Sequence, residues 1–248
     1  MSVRLTLDAF ARRCSGTKDV RVLWRLAFAF FQSRGAVRAS YHSNDVKRPG
    51  WPPLGIQAEG FSDAWKHQYV QGGLWRSDPI PDLARRIGVP FWFRDIKTLM
   101  KLSPNQAKFL EIAAEHNVGE GLAIQLFGPN IHDAFLGLGF GPTRPTMLPA
   151  AIFELQSAAQ MAHIRYCALT GKLGQQNQSL SPRELEVLRW IARGKSNSVI
   201  ADIMGISRHT VDTLLRRLFD KLDVNDRTTA VVKGVSNGLL HVDGENVS

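Results

Sequence analysis

Long apolar runs are missing from this chain of 248 residues. No stretch approaches the roughly 18 residues that a membrane span requires, so no segment reads as a transmembrane helix. The apolar stretch Val22–Phe31 is broken by Arg25 and is not followed by a signal-peptide cleavage pattern. Cysteine is scarce: Cys14 and Cys167 are the only two. They cannot build a disulfide framework or a cysteine-rich metal site, and they suit a reducing cytoplasm. A phosphate-cradling GxxxxGK[ST] loop is absent, and so is any Ser-His-Asp or metal-ligand pattern. The expectation is therefore a cytoplasmic protein that is not an enzyme and has no cofactor or metal. Hydrophobic residues at 44% and charged residues at 21% are ordinary globular values, which excludes disorder and coiled coil.

The formal net charge is +9, which suggests a polyanionic partner. Its distribution qualifies that inference. From Ser179 onward ten Lys and Arg face nine Asp and Glu, so nearly all of the excess lies earlier in the chain. Charge alone does not identify a nucleic-acid binder here, and a motif must do so.

Thr170–Ser179 reads TGKLGQQNQS, a glycine- and amide-rich tether. It separates residues 1–170 from residues 180–248, with 171–179 as linker. In the first part, Lys18–Arg34 has one apolar face and stops at Gly35, and Ala36–His42 alternates like a strand. Pro49, Pro52 and Pro53 mark a loop. Ser62 caps a helix reaching Gln71. Ser103-Pro104-Asn105-Gln106 is a capping box opening a helix to about Asn117. Leu122–Phe127 and Phe135–Phe140 read as strands, and Pro149–Leu169 as a long amphipathic helix. Short strands without regular βαβ alternation predict an α+β fold: an N-terminal α/β/α sandwich around one antiparallel sheet. Such a sandwich can hold a small molecule between sheet and helices.

The second part is all helix. Ser181, Pro182 and Glu184 open a helix running to Arg193. Ser196–Met204 is a second helix, Gly205-Ile206-Ser207 a tight turn, Arg208–Leu222 a third helix, and Asp226 caps a fourth. This is the helix-turn-helix pattern in a four-helix domain. Val187, Leu188, Ile191, Ile200, Ala201, Ile203, Met204, Ile206, Val211, Leu215, Leu218 and Leu222 form the expected core. The third helix keeps Arg208, His209, Asp212, Thr213, Arg216 and Arg217 on an outward face that fits a major groove. Arg216 can pair bidentately with guanine, while Lys195, Ser196, Arg208 and Arg227 can hold phosphates. By pattern alone the same face also fits a solvated surface on a plain bundle.

The residues themselves decide between these. Leu180-Ser-Pro-Arg-Glu-Leu-Glu-Val-Leu188, Ala192-Arg-Gly-Lys-Ser-Asn197, Gly205-Ile-Ser207 and Lys221-Leu-Asp-Val-Asn-Asp-Arg-Thr228 resemble the LuxR-type DNA-binding domain. The resemblance implies that Asp212, Thr213 and Arg216 contact bases of double-stranded DNA. Two positions depart from the family pattern: Asp212, usually basic, and Leu214, usually His. Such a tail also occurs on phosphorylation receivers and large ATPases. The helical start of the chain and the missing phosphate loop argue against both.

In the first part, Trp65-Lys-His-Gln-Tyr69, Ser77-Asp78-Pro79, Pro90-Phe-Trp-Phe93 and Gly121 resemble the autoinducer-binding domain of quorum-sensing LuxR regulators. Helical spacing puts Trp65 and Tyr69 on one face, a pattern that also suits core aromatics, and Asp78-Pro79 also suits a plain helix start. The resemblance implies that the Trp65 indole binds the lactone carbonyl of an N-acyl homoserine lactone. It further implies that Asp78 accepts from the ligand amide, that Tyr69 packs on the acyl chain, and that Trp92 and Phe93 line the pocket. Phe61 stands where the family usually has a Tyr whose hydroxyl binds the ligand's amide carbonyl. Either another donor compensates, or the ligand is not a standard lactone. Gly137 and Gly139 suggest a pocket short of polar hooks. The reading is a ligand-responsive regulator that binds a near-palindromic site as a homodimer, with Pro149–Leu169 as the dimer helix. The alternative keeps the fold but gives the protein a different small molecule, or none.

Overall fold

The computed structural model describes residues 5–43, 55–129, 132–171 and 180–240. The expected loop at Pro49, Pro52 and Pro53 and nearly all of the expected linker lie outside them. The chain divides into two compact units, with the change at Thr170/Gly171.

The first unit runs α1 (Leu7–Gly16), α2 (Val20–Gln32), β1 (Arg38–Ser43), β2 (Ile56–Glu59), α3 (Asp63–Val70), α4 (Ile80–Ile87), β3 (Phe91–Trp92), α5 (Ile96–Leu99), α6 (Pro104–Glu115), β4 (Glu120–Leu126), β5 (Ala134–Gly141) and α7 (Pro149–Leu169). The five strands form one antiparallel sheet in the order β2-β1-β5-β4-β3. On one face α1, α2 and α7 bury Phe10, Leu26, Phe30, Phe31, Leu138 and Leu155. On the other, α4 and α5 pack Ile80, Leu83 and Ile96 against Phe91 and Phe135, while α3 and α6 gather Trp65, Tyr69 and Phe109 around Ile56. The expected α/β/α sandwich is thus observed.

Local chemistry sets the boundaries. Asp19 accepts from the backbone N–H of Arg21 and Val22, so α2 starts at Val20 rather than at Lys18. Ser103 and Gln106 form the expected reciprocal capping box of α6. The strands β2 and β3, of four and two residues, are too short to carry a periodic signal. The 3-10 turn Leu74–Ser77 follows Gly73, whose φ of 73° only glycine adopts at no steric cost.

The second unit holds α8 (Pro182–Ala192), α9 (Asn197–Met204), α10 (Arg208–Leu222) and α11 (Arg227–Ser236). Ser181 and Glu184 complete the capping box of α8. The Glu184 carboxylate also accepts from Lys221 Nζ at 2.7 Å, tying α8 to α10, and these donors hold it below the usual Glu range despite its burial. Gly205, in the left-handed region with φ of 63°, ends α9, and Ser207 caps α10. Ile203, expected in the core, is instead 45% exposed. The buried positions of α9 are Ile200, Ala201 and Met204, and residue 203 falls on the outward side of that turn.

Candidate functional site

A cavity of about 430 Å³ lies in the first unit between the sheet and the layer α3–α6. Its size suits a small molecule. Trp65 and Tyr69, one turn apart on α3, both line it, together with Phe61, Asp78, Phe93 and Phe109. Trp65 and Tyr69 pack against each other and against Phe109, with ring centroids 5.6–6.2 Å apart. The Trp65 ring also meets His116 at 5.4 Å. Its indole N–H has no protein acceptor among the described residues, so one fixed donor is available to a ligand.

The polar end of the cavity is built around Asp78. One carboxylate oxygen accepts from the backbone N–H of Ile80 at 2.9 Å, which starts α4. The other accepts from the Tyr69 hydroxyl at 2.7 Å. Asp78 is therefore both a helix start and a cavity group, so the two roles coexist. Burial pushes its pKa up to about 6, against the opposing effect of those two donors. Burial, then the neighbouring Asp78, also drives the Tyr69 hydroxyl well above its ordinary value, so it stays a donor. A ligand N–H offered to Asp78 would stabilise its charged form.

Trp92 corrects the sequence reading. It points to the opposite side of the sheet, into the core under α1, α2 and α7, where it packs on Phe140 and lies under the Arg144 guanidinium. Strand alternation explains this: Phe91 faces the cavity-side core, so its neighbour Trp92 cannot. Phe93 does reach the cavity. Glu120 on β4 accepts from the backbone N–H of Arg94 and holds the turn that carries it. A Cβ at position 121 would collide with the Phe93 ring, which gives Gly121 its physical reason.

Sequence reasoning also missed two polar residues of this cavity, Ser40 and His42 on β1. The alternation of residues 36–42 carried the signal, because it places both on one face. A second cavity, about 420 Å³, lies on the α2/α7 side of the sheet. There two pairs of polar groups are already engaged with each other: Trp24 Nε1 donates to Glu59 at 3.2 Å, and the Tyr41 hydroxyl lies 2.8 Å from His163 Nδ1. The first cavity is the stronger ligand candidate for that reason.

In the second unit Arg208, His209, Asp212, Arg216 and Arg217 are exposed along α10, and Lys195 and Ser196 are exposed at the start of α9. Thr213 is half-buried, and its hydroxyl donates back to the His209 carbonyl at 3.0 Å. Ser196 uses its hydroxyl to cap α9. Arg227, expected to hold phosphate, has its guanidinium engaged within the domain. It donates to Asn197 Oδ1 at 2.6 Å and to the Lys195 carbonyl at 2.5 Å. Asn197 Nδ2 in turn donates to an Asp212 oxygen at 2.6 Å. Arg227 braces this corner, and Asn197, which no local pattern marks, links it to α10. Asp212 keeps its other oxygen as an outward acceptor.

A ligand-sized cavity under an antiparallel sheet, followed by a helix-turn-helix, defines a ligand-binding transcription regulator. The chain belongs to the LuxR family: the autoinducer binding domain model matches residues 19–166, and the model of bacterial regulatory proteins, luxR family, matches residues 178–233. It is a LuxR-type quorum-sensing transcriptional regulator. The chain is 30% identical over 196 residues to the quorum sensing-dependent transcriptional regulator RpaR of Rhodopseudomonas palustris, covering 79% of each chain. It is 27% identical over 190 residues to the transcriptional activator AhyR of Aeromonas hydrophila, covering 75% of this chain and 73% of that one. Its fold is similar to that of Escherichia coli SdiA, with a TM-score of 0.72 at 18% identity over 94% of this chain and 97% of the other.

Trp65→Phe keeps most of the packing and removes the N–H. Potency should fall more for a lactone than for a matched analogue lacking the ring carbonyl. Equal losses in parallel titrations would make Trp65 a core residue only. Lys195→Ala should weaken binding to all DNA sequences alike and reduce the slope of log affinity against log salt by about one. A sequence-dependent loss would reassign Lys195 to base reading.

Proposed function

We propose that this regulator senses an N-acyl homoserine lactone in the cavity beneath α3–α6 and binds near-palindromic double-stranded DNA as a homodimer. Residues 1–170 form the sensing and dimerisation domain, 171–179 the linker, and 180–248 the DNA-reading domain. Phe61, Trp65, Tyr69, Asp78 and Phe93 contact the ligand. Lys195, Ser196, Arg208 and Arg217 serve the phosphates, and Asp212, Thr213 and Arg216 the bases. The protein works in the cytoplasm and catalyses no reaction.

One observation carries the ligand reading. An apolar, aromatic cavity has an unengaged indole N–H and a buried carboxylate at one end, matched to a molecule with a polar amide head and an apolar tail. Exposed Phe153 and Ile164, three turns apart on α7, support dimerisation through that helix. A ligand that binds only the folded state stabilises it by RT ln(1 + [L]/Kd), so the effect grows with ligand concentration.

The test is titration of the full chain with a series of N-acyl homoserine lactones, read by melting temperature and by mobility of a palindromic DNA, alongside mass spectrometry of co-purifying small molecules. A lactone that raises both stability and DNA affinity supports the reading. A non-lactone molecule in the purified protein, with no lactone response, overturns it in favour of a different signal.

A further inference from the structure

Position 61 leaves the amide carbonyl of a lactone without a phenol donor, and β1 runs along the same cavity. On that strand Ala39, Tyr41 and Ser43 are buried towards α2 and α7, whereas Ser40 and His42 face the cavity. The register places His42 between Ile56 and Phe135, and Ser40 between Ala58 and Gly137. Neither side chain has a hydrogen-bond partner among the described residues, although both stand in a mostly apolar enclosure. Polar groups so placed are normally satisfied, so each calls for a partner.

Resting on the lactone reading above, we infer that His42 donates a hydrogen bond to the ligand's amide carbonyl and that Ser40 bonds an oxygen carried on the acyl chain. The cavity geometry supports this division. The His42 ring is held edge-to-face against Tyr69 at 5.8 Å and Phe135 at 5.2 Å. Tyr69 in turn holds Asp78. His42 therefore stands one ring away from the carboxylate that takes the amide N–H, on the sheet wall, whereas Asp78 sits at the start of α4 on the helix wall. A trans amide directs its N–H and C=O to opposite sides, which is the arrangement these two walls serve. Burial pushes the His42 pKa down to about 4, so at neutral pH the imidazole is uncharged and presents one donor. Ser40 lies one strand step away, about 6.8 Å along β1. A Cβ on Gly137 would come to 3.0 Å from its hydroxyl, so the glycine leaves that hydroxyl clear.

The test titrates the full chain with three N-acyl homoserine lactones of equal chain length: unsubstituted, 3-oxo and 3-hydroxy. His42→Phe preserves the ring packing and removes the donor. It should weaken all three lactones by about fivefold or more, the factor expected for an unpaired carbonyl. Phe61→Tyr added to that variant should restore most of the loss, because the phenol reaches the same cavity. His42→Gln, which keeps an N–H, should bind within a few-fold of wild type. Ser40→Ala should weaken the two oxygenated lactones about fivefold more than the plain one. His42→Phe binding as tightly as wild type, or His42→Gln as weakly as His42→Phe, overturns the role of His42. An unchanged preference among the three lactones in Ser40→Ala overturns that of Ser40. Wild type that binds none of the three overturns the lactone reading and this inference with it, an outcome distinct from wild-type binding that the variants fail to alter.

Discussion

Asp78→Ala should lower lactone affinity at least tenfold, the loss expected for a hydrogen bond to a charged group worth about 1.5–3 kcal/mol. The substitution removes the acceptor of the ligand N–H, the partner of the Tyr69 hydroxyl and the bond that starts α4. Asp78→Asn separates these effects. The amide oxygen can still accept from one of the two protein donors, but no negative charge remains for the ligand. Isothermal titration of both variants checks the point, and binding of wild-type strength in Asp78→Asn would remove Asp78 from the ligand site. The pKa of about 6 adds a pH signature. Because the folded value lies above the ordinary one, Asp78 contributes stability that is present at pH below about 4 and lost as pH rises through 6. A ligand N–H prefers the charged carboxylate, so lactone affinity should fall as pH drops below 6. Acidification therefore stabilises the protein without lactone and weakens the lactone, and Asp78→Asn should lose both dependences. His42, pushed down to about 4 by burial, and Tyr69, held well above its ordinary value, titrate outside this window.

Arg216→Ala should cost about 1–3 kcal/mol in DNA binding and relax preference at one base pair per half-site. Arg216 is exposed on α10 two turns beyond Arg208, on the side that carries Asp212, and its guanidinium can meet guanine O6 and N7 together. Asp212→Asn should act differently. It removes a negative charge from the groove-facing surface, raising affinity for all sequences, while discrimination at the position facing it shrinks. Selection from a randomised duplex pool, followed by salt titration, distinguishes the two. A uniform loss across sequences for Arg216→Ala would make it a phosphate contact.

Much of this architecture was legible because its signals are local. Capping boxes at Ser103 and Ser181, the Gly205 turn and the apolar spacing of α10 are written within a few residues of where they act. The cavity-lining side chains on α3 were legible for the same reason, since Trp65 and Tyr69 are one turn apart. Trp92 was misplaced because a two-residue strand has no periodicity to read, and its face is set by pairing with Leu122 on a distant strand. Ser40 and His42 were missed although their strand was recognised. Alternation shows which residues share a face, but only the packing of α2 and α7 on one side shows which face is left for the cavity. The internal partners of Arg227, Asn197 and the Lys195 carbonyl, were not legible because they lie about thirty residues away in sequence.

The chain of contacts from Arg227 through Asn197 to Asp212 bears on how this regulator can diverge. The Asp212 carboxylate is oriented from α9, and the orienting amide is fixed from α11. A substitution at 212 leaves Asn197 without its acceptor, and a change at 197 removes one of the two bonds that hold the Arg227 guanidinium. Single substitutions in this chain of contacts thus leave a polar group without its partner. On the proposed base-reading role of Asp212, a clean change of target therefore calls for positions 197, 212 and 227 to change together.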